Sequence, residues 1–395
     1  MKILVILPDA FDRHSFARDN RHEYVFFEAA PSHWQPTPEF DPREYLERAL
    51  VFARDANIDA VLSTHDLGDL IAAVIAKELN LRGPTPEAVF LCLHKYYARR
   101  RESDPIRCEA LPLHGETPQI GYPSFLKAPW LKLGLLGFKL ENDAQLASAM
   151  ELARVEYPRW SRQYYPLFAR AVDTTRYPLA TADMMLVEEF VEGPQVTVEG
   201  WVQDGETHIW AVTDTNTYPG TRIIDNFSLP SRFAAEAQDA MTRYAKDAIR
   251  RFEFTDGFFN IELWQTADGL RLTEVNGRAA VCFAGIYDPV LGASIFEAVA
   301  DVACGLPPRG LPQLTGRVAG QFNLITFAED YAGNLADYSV AETIPELSLF
   351  RADDEYVKPM SEFGVVLGQL EIAGDSYDEI HARAEEVRRR VLKPQ

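Results

Sequence analysis

The sequence predicts an α/β (α+β) protein of more than one domain, and three observations carry that prediction. The first 94 residues alternate apolar strand-like and helix-like segments, the pattern of a parallel sheet covered by helices. Residues 184–213 and 259–276 read instead as short alternating runs joined by tight turns, the pattern of antiparallel hairpins. At 395 residues, 47% of them hydrophobic and 25% charged, the chain is long enough for two or three ordinary cores.

Taken in order, residues 2–7 are apolar and β-branched without alternation, as in a strand buried on both faces. No Gly-x-Gly-x-x-Gly follows them, which argues against a dinucleotide site of the Rossmann type. Pro42–Ala56 has helical spacing, with Tyr45, Leu46, Leu50, Val51 and Phe52 on one stripe. A second strand runs into His65 and Asp66, at the sheet end where ligands sit; a structural hydrogen bond is the expectation for His65. A helix over 67–79 follows, and turn residues over 81–87 mark a boundary.

Residues 88–101 are predicted helical, with Arg99, Arg100 and Arg101 on a solvated face and Lys95 set among Leu93, Tyr96 and Tyr97. Residues 122–129 form a strand ending on Lys127, and 132–138 a turn whose glycines permit close approach to a phosphate. Asn142 and Asp143 cap a helix through residue 151. Hairpins over 184–213 lead to a polar loop over 214–227 that carries Arg222. A helix over 232–252, a hairpin, a helix over 289–304 and a linker over 305–312 come next. Short strands and an amphipathic helix over 376–392 close the chain.

The hairpin of residues 259–276 concentrates the chemistry. Side chains two apart on a strand share a face, so Glu274 and Asn276 point the same way, with Glu262 opposite them. Two carboxylates and an amide oxygen make a hard-oxygen set suited to Mg²⁺, which also binds substrate phosphates. Arg278 continues the alternation and supplies a fixed cation for an anionic oxygen.

Composition narrows the partners. Lys plus Arg is 39 against 59 Asp plus Glu, a formal net charge of -20, which argues against a nucleic-acid or anionic-membrane surface. Four scattered cysteines lack the spacing of a zinc site, and no apolar run has the length of a signal peptide or a membrane span. The expectation is a cytoplasmic protein with reduced thiols.

Four segments recur in a known order: Phe125-Leu-Lys127-Ala-Pro, Val187-Glu188-Glu-Phe-Val-Glu-Gly193, Asn260-Ile-Glu262, and Glu274-Val-Asn276-Gly-Arg278. In this the chain resembles the ATP-grasp superfamily, and within it the carboxylate–amine ligases of the L-amino-acid ligase type. The resemblance implies an ATP-grasp fold: an N-terminal parallel α/β domain over 1–94, a central ATP-binding domain of two antiparallel sheets over 95–305 with its lid at about 120–190, and a C-terminal α+β subdomain over 306–395. It implies that ATP lies between the sheets, with Lys95 and Lys127 on phosphates, Glu188 at the adenine amino group and the backbone of Phe190 and Val191 along the ring edge. Gln195 stands where many relatives place a glutamate at the ribose. Glu262, Glu274 and Asn276 would hold two Mg²⁺, with Mn²⁺ an alternative, while Arg278 and Arg222 would meet the substrate. The implied reaction is ATP-dependent amide formation between small carboxylate and amine substrates, amino acids above all, through an acyl phosphate, with release of ADP and phosphate. Two other readings remain open: a biotin-carboxylase-like or purine-pathway ATP-grasp enzyme, and a catalytically inactive nucleotide-binding protein. A homodimer is what the family suggests.

Overall fold

The structure is a computed structural model that describes residues 1–28, 37, 39–115, 117–132, 134–359 and 363–394. Its N-terminal part comprises β1 (Lys2–Ile6), α1 (Ala10–Phe16), β2 (Glu23–Phe27), α2 (Pro42–Ala56), β3 (Ala60–Leu62) and α3 (Asp66–Leu79). The strands form a parallel sheet in the order β2-β1-β3, with Ile3, Leu4, Val5 and Ile6 fully buried, as their unbroken apolar run requires. Neither α1 nor β2 was expected; the five residues of β2 give too short a pattern to register.

Two short helices follow, α4 (Pro86–Leu93) and α5 (Lys95–Arg99). The single helix expected over 88–101 breaks at His94, whose backbone is extended. The His94 ring is buried against Phe90, Tyr97 and Phe168, and this burial drives its pKa down to about 3.

A four-stranded sheet is built from β4 (Cys108–Pro112), β5 (Ser124–Lys127), β6 (Phe138–Leu140) and β7 (Met184–Glu189), in the order β4-β7-β5-β6. Between β6 and β7 runs α6 (Asp143–Ala171), far longer than the helix expected to end at residue 151. Its buried residues, from Leu146 to Phe168, pack toward α3 and α4, so tertiary burial carries it past Pro158 and Pro166.

The main sheet starts with β8 (Gln195–Gln203), β9 (Glu206–Thr217) and β10 (Ile224–Leu229). After α7 (Ala235–Arg251) come β11 (Gly257–Thr266) and β12 (Gly269–Asn276), the hairpin that the sequence signals. The helix expected over 289–304 is two helices, α8 (Ala284–Leu291) and α9 (Ile295–Ala303), because Gly292 adopts a left-handed conformation (φ 63°) and ends the first. The rest of the chain supplies β13 (Val318–Thr326), β14 (Asp330–Tyr331), α10 (Ala332–Leu335), α11 (Tyr338–Ala341), β15 (Leu347–Leu349), β16 (Tyr356–Val357), β17 (Val365–Gly374) and α12 (Tyr377–Val391). Strand β13 pairs with β10, so residues beyond 305 extend one eight-stranded sheet in the order β12-β11-β8-β9-β10-β13-β17-β15. Among the described residues no single helix is long and apolar enough to cross a membrane. The bent apolar pair over 281–291 and 295–303 is core, with Ile286, Tyr287, Val290 and Ile295 fully buried.

Candidate active site

One face of the eight-stranded sheet carries the polar residues, and strand register puts them there. Glu262 pairs directly with Glu274 across the hairpin and with Thr197 on β8; Asn260 pairs with Asn276 and with Glu199. Directly opposed residues share a face, so Glu274, Asn276, Asn260, Glu262, Gln195, Thr197 and Glu199 line one surface. The alternation read from the sequence is therefore the one the structure adopts.

The hydrogen bonds on this face are ordered. Gln195 donates from Nε2 to Glu262 Oε2 at 3.1 Å. Asn276 donates from Nδ2 to Asn260 Oδ1 at 3.3 Å, and Asn260 donates to Glu199 at 2.8 Å. With its nitrogen so engaged, the amide oxygen of Asn276 is the atom turned to other use. Lys95 Nζ lies 2.8 Å from Glu274 Oε2 and donates to the Leu131 carbonyl at 2.7 Å.

The two glutamates divide their charge. Burial and the neighbouring Glu274 push the Glu262 carboxyl well above the usual range. Burial also acts on Glu274, but Lys95 outweighs it and holds that carboxyl below the usual range. Two half-buried carboxylates facing each other strain toward sharing a proton. A divalent cation would relieve the same repulsion, so the donor set fits the Mg²⁺ that an ATP-grasp fold implies. It is a set of two carboxylates and an amide: among the described residues no group of three or more His, Cys, Asp or Glu converges as a metal site. Nearby, the buried hydroxyls of Thr197 and Thr215 have no hydrogen-bond partner among the described residues, as befits a floor for a polar ligand.

The smaller sheet presents Lys127 and Glu188 on its own face, Lys127 Nζ standing 2.6 Å from Glu188 Oε2. Glu188 Oε1 accepts from Arg99 Nε at 2.7 Å. Burial would raise the Glu188 carboxyl, but Arg99 and Lys127 override it and bring the pKa down to about 2. Both oxygens expected at an adenine amino group are thus already engaged with cations. Arg99 is 1% exposed and also holds Glu102 and the Thr273 carbonyl, so the solvated face expected for it is corrected: it ties α5 to the hairpin.

Arg222 is the other departure. Its guanidinium donates to the Val191 carbonyl at 3.1 Å and stands 4.2 Å from the Phe190 ring centre and 4.9 Å from that of Trp264. It lies along the segment of Phe190 and Val191, the expected adenine edge. Arg278 pairs with Asp66 at the N-terminus of α3, and Lys132 pairs with the same carboxylate. Burial would raise the Asp66 carboxyl, yet these two cations hold it well below the usual range. The sequence marks His65 and Asp66 together at a ligand-facing sheet end without giving Asp66 a role; His65 caps α3, accepting from the Leu67 N–H at 3.1 Å. The signal was available, since an acidic residue at a helix start and at a strand's C-terminal end is a marked position. A small cleft of about 50 Å³ opens beside Arg278, lined also by Ser63, Asp69, Arg82 and Gly277.

Two antiparallel sheets, one presenting Lys127 and Glu188 and the other the paired Glu262 and Glu274, make the arrangement that the solved structures below share as the ATP-grasp fold. The ATP-grasp domain model matches residues 138–287. The chain is similar to carnosine synthase 1 of Homo sapiens, 25% identical over 85% of this chain and 43% of that protein, and to the Mus musculus protein, 26% identical over 78% and 40%. It therefore spans less than half the length of the curated relatives it matches. Among solved structures, the L-amino acid ligase from Bacillus licheniformis aligns at a TM-score of 0.75 and 14% identity, over 100% of this chain and 98% of that one. Carboxyaminoimidazole ribonucleotide synthase from Aspergillus clavatus, complexed with ATP, aligns at 0.69 and 16%, over 98% and 97%. At these identities the structural likeness speaks for the fold.

Proposed function

We propose that the protein is an ADP-forming carboxylate–amine ligase that joins small substrates, amino acids above all, through an amide bond. The observation that carries this reading is the half-buried Glu262–Glu274 pair, with Lys95 on Glu274 and the charges of Lys127 and Arg278 within reach. Phosphoryl transfer asks a protein mainly for positioning and charge neutralisation, and no side-chain nucleophile is needed. Lys95 and Lys127 hold the phosphate oxygens of ATP, while Phe190, Val191 and Gln195 line the base and ribose. Glu262, Glu274 and Asn276 would hold two Mg²⁺, or Mn²⁺ in its place, which would supply positive charge against the phosphates. Arg278 holds the substrate carboxylate, and one of its oxygens takes the γ-phosphoryl group to give an acyl phosphate and ADP. The amine then attacks the acyl carbon, phosphate leaves, and the amine nitrogen loses its proton to solvent. The likeness to an L-amino acid ligase and to carnosine synthase supports the substrate class. Four free cysteines agree with a cytoplasmic setting.

The test is a phosphate-release screen with ATP, Mg²⁺ and pairs of amino acids, with products weighed by mass spectrometry. ADP together with an amide is the expected outcome, and Glu274→Ala should lower the rate by about a hundredfold or more with the circular dichroism spectrum unchanged. Release that requires bicarbonate would replace the ligase reading with a carboxylating one. Full activity in the Glu274 variant would remove the metal assignment.

A further inference from the structure

The polar face does not stop at the phosphate end. Phe227 on β10 pairs with Thr215 on one side and with Gln321 on the other, and Gln321 pairs with Glu371 on β17. Gln321 and Glu371 therefore lie on the same face as Gln195 and Glu262, at the far end of the sheet. Their neighbours on the same two strands, Asn323 and Gln369, bond to each other at 3.0 Å, and Asn323 donates onward to the Ile224 carbonyl at 3.0 Å. Gln321 and Glu371 are arranged differently.

Gln321 is only 2% exposed, yet it uses one end of its amide. Nε2 donates to the Cys282 carbonyl at 2.5 Å and to Glu371 Oε1 at 3.2 Å. Both neighbours are acceptors, so the nitrogen must face them and the amide cannot be turned round. Its oxygen, buried, has no hydrogen-bond partner among the described residues. An orphaned buried acceptor of this kind is costly unless a ligand satisfies it. Beside it, burial lifts the Glu371 carboxyl above its ordinary range; the Gln321 hydrogen bond pulls it back, and Asp288 adds repulsion. The close approach of this carboxylate to α8 depends on Gly285, where a Cβ would collide with it. Two acceptors, one anionic and neither paired with a cation among the described residues, call for a group rich in N–H and positively charged.

We infer that Gln321 and Glu371 form a subsite for a cationic nitrogen of the substrate, an ammonium or a comparable N–H-rich cation remote from the reacting carboxylate. This rests on the ligase reading for its place in a reaction, in which Arg278 holds the carboxylate; Cys282, whose carbonyl accepts from Gln321, feels the charges of both Arg278 and Glu371. The subsite turns the sheet face into a ruler: anion at Arg278, cation at Glu371. Such a cation has two sources, the amino group of the acyl donor or a basic side chain on the amine substrate.

Binding separates this inference from the reaction. Titration calorimetry of the full chain is run with short ω-amino acids against alkanoic acids of the same length, and with lysine against norleucine. The expected result is that the wild type prefers the amino compound in one of the two series by about tenfold to a hundredfold, the worth of a charge-assisted hydrogen bond. The ω-amino series identifies the acyl donor as the source, and the lysine series identifies the second substrate. Glu371→Gln and Gln321→Leu should each erase most of that preference, as should Gly285→Ala, which displaces the carboxylate from a separate element. In the phosphate-release assay KM for the cationic substrate should rise by the same factor, with KM for ATP unchanged. No preference in the wild type, or a preference that survives Glu371→Gln, overturns the subsite. A preference without any amide product upholds it and removes the ligase reading instead.

Discussion

At Glu199 the chain buries a carboxyl completely, 0% exposed, between the Asn260 amide and the Ala280 N–H. Burial raises its pKa to about 8, against the pull of those two hydrogen bonds and of Arg278. The sign follows directly: the folded protein keeps a proton that the unfolded chain releases, so the stabilisation is full below the ordinary glutamate range and is lost as the pH rises to about 8. The expected outcome is a melting temperature that falls across that window, with a slope of about 1.4 kcal/mol per pH unit from this group. Glu199→Gln should flatten the slope whatever it does to the absolute temperature, and parallel curves for the two proteins would refute the assignment. Glu199 shows what single-residue reading misses. A glutamate in an alternating strand looks the same in sequence whether it faces solvent or Asn260. Arg99 was hidden likewise: a basic run reads as solvated, and only Glu188 from a strand 89 residues away makes it a buried anchor.

Between β7 and β8 the chain turns through Gly193, at φ 149°, where an added Cβ would collide with the carbonyl of Gln265 on β11. The turn follows Phe190 and Val191 and precedes Gln195, so its path fixes the edge along which adenine and ribose are proposed to lie. Gly193→Ala combines backbone strain with that collision. It should lower stability by about 1–3 kcal/mol, and KM for ATP should rise more than KM for the other substrates. Denaturant unfolding and initial rates measure the two effects, and an unaltered KM for ATP would detach this turn from the nucleotide. Elements were legible where pattern and length were strong. Pro42–Ala56 and the hairpin of β11 and β12 follow their periodicities, whereas α6 outran its expected end because buried contacts with α3 and α4, invisible locally, sustain it.

Across the molecule, the segment expected as a mere linker is pinned. Arg309 forks onto Asp19 at 2.8 Å from both outer nitrogens and reaches Asp301 from Nε at 2.9 Å. It thereby fastens the N-terminal part and α9 to the start of the last third of the chain. Removing it takes the cation from Asp19, which keeps only Tyr24 and the Arg21 N–H, and one of three partners from Asp301, which keeps Arg21 and His22, so Arg309→Ala should destabilise the fold by about 1–3 kcal/mol. Below the lowered melting temperature the turnover number should be unchanged, since none of the three touches the proposed site; a lost kcat in a folded variant would show that the clamp reaches the chemistry. Asp66 makes a comparable junction nearer the site, binding Arg278 and Lys132 from two other parts of the chain.

By itself the sequence determined the hairpin, its alternation, and the order in which lysines, glutamates and arginine occur, because strand periodicity and turn chemistry act over a few residues. It also carried the ATP-grasp resemblance through four short segments. Only the tertiary structure decided which charges are buried, and therefore which are paired: Arg99 with Glu188, Asp66 with Arg278, Gln321 with Glu371. Burial depends on what the rest of the chain lays over a residue, and the strength of an ion pair or the pKa of a carboxyl depends on burial.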